Sequence, residues 1–294
     1  MMKASLQCLA FSLIFSTASW SQVLLEQNFS SSTVFTNYFN ATSPDTGQFN
    51  TYTLGTNVSN PLYTNQIATQ SMRFLGRTNA GAGGAASFVR TGLNPNPSAV
   101  QFSFKFNLSG SYLTSNVTSI STAYMTFGLG NGFTNEPTGT AAGTVNSADS
   151  LARMTMNLNT NAQQWRFTDL TRGGSTGWFT LGTAQTFTMA VNTSGAEVSY
   201  IDPNGVLTTL ADNQYATWIG TNVFKLASAV GNSNMLADDF KFHLPSATGV
   251  GSLVYIYDDF QVLQIPEPGT GLLALLGIGA LIAYRRYSAA CRAR

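Results

Sequence analysis

Apolar and polar side chains alternate with a period of two along much of the chain. Val100, Phe102, Phe104 and Phe106 are separated by Gln101, Ser103 and Lys105, and Ala152, Met154, Met156 and Leu158 repeat the pattern. So do Trp165 with Phe167, then Phe187, Met189 and Val191, then Val198 with Tyr200. Phe240, Phe242 and Leu244 follow, and Phe260 and Val262 lead to Gln264 at the close. Successive side chains of a strand point to opposite faces, so each stretch predicts a strand with one face in a core and one in solvent. Asp202-Pro203-Asn204-Gly205 predicts a hairpin turn between two such strands, because Pro fixes φ and Gly accepts a positive φ.

No part of the body shows sustained helical periodicity. Stretches 79–86, 94–97, 131–147 and 173–177 read as loops from their Gly, Asn, Pro and Ser content. None is long or charged enough to be a domain linker. Many short strands at this spacing predict one all-β domain over residues 22–264, an antiparallel sandwich of jelly-roll or concanavalin-like type rather than a barrel.

Composition agrees. The chain carries 20 Phe, 11 Tyr and 4 Trp, enough apolar area for a large core, while helix-forming charged residues are scarce. Only 9% of residues are charged, against about a quarter in typical domains. From Gln22 to Ile265 there are nine Lys/Arg and twelve Asp/Glu, a net of 9 − 12 = −3. A mildly acidic body gives no electrostatic footprint for nucleic acid. Both cysteines, Cys8 and Cys291, lie outside the body, so it holds no disulfide and no thiol metal site.

The ends are specialised. Lys3 followed by the apolar stretch Leu9 to Ala18 reads as a signal peptide over residues 1–21. The small Ser19 and Ser21 place cleavage before Gln22, with Ala18 and Ser19 as further candidate ends. At the other end, residues 265–294 form a tail in three parts: Pro266-Glu267-Pro268, an uncharged run over about 269–284, and an Arg-rich end, 285–294. Sixteen residues of helix span about 24 Å, short of a hydrocarbon core of about 30 Å; Tyr284 and snorkelling Arg side chains make up the difference. The run therefore predicts a transmembrane helix with Arg285 and Arg286 on the cytoplasmic side and the body outside. The two prolines hold the junction extended and present Glu267 at the membrane face.

This order of elements resembles the sorting tail of PEP-CTERM proteins. The resemblance implies that an exosortase, a membrane protease-transpeptidase, recognises Pro266, Glu267 and Pro268, while the span and Arg285-Arg286 act in retention. Such proteins occur in Gram-negative-type bacteria, often beside exopolysaccharide production. Residues 287–294 extend past the double Arg, where many members stop sooner. A closing strand that runs directly into the tail also resembles the sandwich domains common in those proteins.

Within the body, Asp238-Asp239 and Asp258-Asp259 each precede an aromatic-led strand. Their carboxylates are candidate Ca²⁺ ligands, although adjacent strand residues point to opposite faces and a pair offers one carboxylate unless the backbone bulges. The bland alternative is that they start edge or terminal strands and discourage strand addition. The lone His243, inside the 240–244 alternation, reads as a strand residue with its ring towards solvent. With one His and no thiol, Cys–His dyads and His-rich metal sites are excluded, and no Gly-x-Ser-x-Gly elbow surrounds a serine. Glu26, Glu136 and Glu197 are isolated, so the paired carboxylates of a glycan hydrolase are not evident.

Flat aromatic rings suit sugar faces, and Trp165, Trp178, Trp218, Tyr112, Tyr124 and Tyr215 are the candidates. Trp165 alternates with Phe167 and belongs to the core, whereas Trp178, beside the 173–177 loop, is the candidate for glycan contact. The expectation is a non-enzymatic, exported surface or matrix protein with an adhesive or structural role linked to exopolysaccharide. The alternatives are a lectin-like, Ca²⁺-assisted carbohydrate-binding module and a glycan hydrolase.

Overall fold

Period-two alternation becomes strand wherever the apolar face finds a partner sheet, and the strands run well beyond the stretches whose alternation is obvious in the sequence. The computed structural model describes residues 21–54, 63–76, 85–110, 123–134, 144–159, 162–245 and 253–267. The signal peptide, Pro268, the apolar run and Arg285-Arg286 lie outside them. Among the described residues the strands are β1 (Gln22–Gln27), β2 (Thr51–Thr53), β3 (Tyr63–Ala68), β4 (Ser71–Gly76), β5 (Ala86–Arg90) and β6 (Ala99–Ser109). They continue with β7 (Ala123–Gly130), β8 (Ser150–Asn159), β9 (Gln164–Asp169), β10 (Phe179–Thr180), β11 (Gln185–Asn192) and β12 (Val198–Ile201). The last are β13 (Leu207–Leu210), β14 (Gln214–Ile219), β15 (Asn222–Ala229), β16 (Asp239–Leu244) and β17 (Val254–Gln264). One helical turn spans Phe35–Tyr38.

All pairings between these strands are antiparallel. One sheet runs β15-β14-β11-β6-β17-β4-β3, with β1 also paired to β17; the other runs β10-β9-β8-β7-β16-β5-β2. Non-sequential neighbours such as β6 beside β17, and β16 between β5 and β7, carry the chain repeatedly from one sheet to the other. This is the crossed-over antiparallel sandwich that the sequence predicts.

The apolar faces of the two sheets meet in a core rich in phenylalanine. Phe102, Phe104 and Phe106 of β6, Phe127 of β7, Phe240 and Phe242 of β16 and Phe260 of β17 are all buried. Their rings pack edge-on or offset, for example Phe104 with Phe242 at 5.0 Å and 89°, and Phe102 with Phe127 at 4.9 Å and 16°. Such pairs add about 0.5–1.5 kcal/mol each to area burial, which makes the rings the dominant apolar contribution here.

Each sheet also has its outer face partly covered. On the eight-stranded sheet, the β12–β13 hairpin lays Val198, Tyr200 and Leu210 onto Ala190, Ala216 and Trp218. Its turn forms as the sequence predicts: Oδ1 of Asp202 accepts the N–H groups of Asn204 and Val206, and Gly205 has φ +76°. On the seven-stranded sheet, Phe133 and Val145 pack on Val89 of β5. Gly128 of β7 makes room for them, since a Cβ there would lie 2.3 Å from Cγ1 of Val145.

Candidate functional site

The body and the sorting tail meet without a spacer. Beyond the end of β17, Ile265 is buried against the hairpin-covered face, and its N–H donates to the Ala99 carbonyl at 2.9 Å. Pro266 is half-buried, and Glu267 is exposed, with a carboxylate oxygen accepting a hydrogen bond from the Ser98 hydroxyl.

Neither of the two Asp pairs sits on an edge strand. Asp239 opens β16, which lies between β7 and β5; Asp258 and Asp259 fall inside β17, between β6 and β4. Both carboxyls of the first pair are buried and tie loops together. Oδ1 of Asp239 accepts the Gly92 N–H at 2.8 Å, and Oδ2 accepts those of Gly132 and Phe133 at 2.8 and 3.2 Å. Oδ1 of Asp238 accepts the Asn131 amide at 2.7 Å. These bonds pin the segment that carries Phe133 over the sheet. Burial pushes the Asp239 carboxyl up to about 6, outweighing its three N–H donors, and burial also raises Asp238.

The second pair marks a bulge. The register between β17 and β6 shifts between Asp258 and Gln261, Asp259 has φ +48°, and Lys105 lies 4.0 Å from Asp259. Tyr257 and Phe260 on either side point into the core, so Asp258 faces outward from the eight-stranded sheet. Asp239 faces outward from the other sheet, because Phe240 beside it is in the core. The sandwich therefore separates the pairs, and one ion cannot join them. Among the described residues no three His, Cys, Asp or Glu side chains form a group able to hold a metal.

Register assembles a polar row that no local sequence pattern announces. Thr53 of β2 pairs with Ser87 of β5, which pairs with His243 of β16, then Thr126 of β7, Thr155 of β8 and Thr168 of β9; Thr168 bridges to Ser175. Directly opposed residues share a face, so this row crosses the outer side of the seven-stranded sheet. His243 is on that outer side, as expected, yet it is buried there rather than solvated. Towards β9 the row is half-buried to exposed. The hydroxyls of Thr168 and Ser175 lie 2.8 Å apart, and the Asn157 amide donates to Thr168 at 2.7 Å.

Trp178 lies at the same end. Arg166, outward on β9 between buried Trp165 and Phe167, places its guanidinium carbon 4.4 Å from the centre of the Trp178 ring. Trp178 is half-buried rather than open, with Arg166 over the ring. The other candidate rings fare differently: Trp165, Trp218 and Tyr215 are buried, while Tyr112 and the Tyr124 side chain lie outside the described residues.

The last strand of the antiparallel β-sandwich leads directly into the Pro266-Glu267 junction. Residues 264–286 match the PEP-CTERM protein-sorting motif, which marks an exported, membrane-transiting precursor of the kind that exosortases process. Among the described residues no helix is long and apolar enough to cross a membrane, and residues 268–294 are not among them. No curated protein matches the chain.

Solved structures with a similar fold include a carbohydrate esterase from Shiga toxin-encoding bacteriophage phi24B. It is 12% identical with a TM-score of 0.44, over 84% of this chain and 100% of that one. The lectin UEA-II in complex with galactose is 7% identical with a TM-score of 0.39, over 68% and 89%. A structure reported for endo-acting O-glycanases of the human gut microbiota is 8% identical with a TM-score of 0.45, over 83% and 100%.

Proposed function

We propose that this chain is a surface or extracellular-matrix protein, held at the inner membrane by its tail until processed, whose sandwich has an adhesive or structural role in contact with exopolysaccharide. The observation that carries the reading is the sorting motif at 264–286, joined without a linker to a β-sandwich body. Pro266, Glu267 and Pro268 are the residues an exosortase-type protease reads, and Arg285 and Arg286 hold the precursor on the cytoplasmic side.

The β9 end of the polar row on the seven-stranded sheet, half-buried to exposed, supports contact with a polyhydroxylated partner. Thr168, Ser175 and Asn157 offer hydroxyl and amide groups beside the Arg166–Trp178 pair. The same face also favours the lectin-like alternative over a purely inert body. Replacing Pro266, Glu267 and Pro268 by Ala tests the sorting step. Unprocessed protein accumulating in the inner-membrane fraction is expected, and unchanged processing and location would overturn the reading.

A further inference from the structure

The loop joining β9 to β10 and the tight turn between β14 and β15 enclose a cleft of about 450 Å³, lined by residues including Ser175, Thr176, Phe179, Asn222, Val223 and Phe224. It opens where the polar row ends, since Ser175 belongs to both. Phe179 and Phe224 are half-buried and supply aromatic surface, and Val223 is 54% exposed at the margin. Thr176 fixes the loop: its hydroxyl accepts the Phe167 N–H at 3.1 Å and donates to the Gly177 carbonyl at 2.8 Å. Ser175 and Asn222 are exposed polar groups at the rim.

Among the described residues none that lines the cleft carries a charge. The nearest cation in sequence, Lys225, lies 3.9 Å from the Asp169 carboxylate and 5.8 Å from the centre of the Phe224 ring, so its charge is already partnered. An anionic ligand would find no counter-charge among the lining groups. A purely apolar ligand would strip water from the rim amide and hydroxyl without replacing their hydrogen bonds. A pyranose ring has both requirements, a C–H face for aromatic and aliphatic surface and hydroxyls for the rim.

We propose that this cleft is a binding site for a neutral hexose unit of a polysaccharide. It rests on the polysaccharide-contacting reading above and gives that contact a place. The full-length chain in detergent is titrated calorimetrically with neutral gluco-, galacto- and manno-oligosaccharides, and with uronic-acid oligosaccharides of the same length. Val223→Glu puts a charge at the margin, and Asn222→Ala removes the rim amide; both sites are exposed, so thermal melts should match the parent.

Saturable binding of at least one neutral oligosaccharide is expected, weakened about tenfold or more in each variant, with no binding of the uronates. Neutral sugar bound equally by parent and variants would remove the cleft while leaving polysaccharide contact standing. No neutral binding, or preference for uronates, would overturn the proposal outright. The sorting step is judged by location and processing, so its failure is separately visible.

Discussion

The hydroxyl of Tyr215, on β14 of the eight-stranded sheet, donates to Oδ2 of Asp169, at the end of β9 in the other sheet, across 2.5 Å. Lys225 of β15 lies 3.9 Å from the same oxygen, while Oδ1 accepts the N–H groups of Thr171 and Arg172 at 2.7 and 3.1 Å. Arg172 then reaches across to the carbonyls of Ala229 and Val230. One buried carboxylate therefore fastens the two sheets. Removing one partner of a buried charged hydrogen bond costs about 1–3 kcal/mol. Tyr215→Phe should lower the urea unfolding free energy by that amount, and Asp169→Ala by more, because the turn also loses its acceptor. A Tyr215→Phe protein as stable as the parent would show that the bond does not hold the sheets.

Asp239 sets a pH dependence. Its carboxyl is raised to about 6 in the fold against an ordinary value of 3.8. A raised folded-state value means that the stabilising contribution is complete below about pH 4 and is lost as pH rises through about 6. The difference corresponds to an order of 2–3 kcal/mol. Unfolding free energies measured from pH 4 to 7 should fall with rising pH in the parent. In Asp239→Asn, which cannot ionise, that slope should flatten, although the variant is destabilised throughout by placing an amide against N–H donors. An unchanged slope would assign the pH dependence to other groups.

Two glycines of β7 are there for space. A Cβ on Gly130 would lie 2.0 Å from the Asp149 carbonyl oxygen and 2.8 Å from Cα of Ser150, and one on Gly128 would press on Val145. Overpacking of this kind costs about 1–3 kcal/mol, and more where backbone must move. Gly130→Ala should therefore be the more damaging of the two. Gly177→Ala meets nothing within 4 Å and should stay within about 0.5 kcal/mol of the parent. Thermal melts of the three variants decide the order.

The separation of the two Asp pairs bears on calcium. Asp239 already accepts three N–H groups, and Asp258 faces away on the opposite sheet. Melting in calcium and in chelator should give the same midpoint. A midpoint lowered by chelator and restored by calcium would place an ion on the body and revive the calcium-assisted lectin.

The strands were legible where one face alone is apolar. The alternations at 100–106, 152–158, 187–191 and 240–244 each lie within a strand whose apolar face is in the core. The Asp202–Gly205 turn was legible too, because its chemistry is local. Edge strand β15 was not: its residues are largely exposed or half-buried, so alternation is faint. The role of Asp239 needed knowledge of donors more than a hundred residues away, at Gly92, Gly132 and Phe133. Likewise, neither the burial of His243 nor its place in the hydroxyl row has a local signal, since both depend on register between strands distant in the chain. The sorting tail was legible because its meaning lies in the order of three unlike elements rather than in tertiary contact.

The most direct test is the intact mass of the natural polypeptide together with the compartment that yields it. A chain that has lost residues 1–21 and been cut within 265–294, recovered from the envelope or the medium, is the predicted result. A chain carrying both termini and found inside the cytoplasm would contradict it.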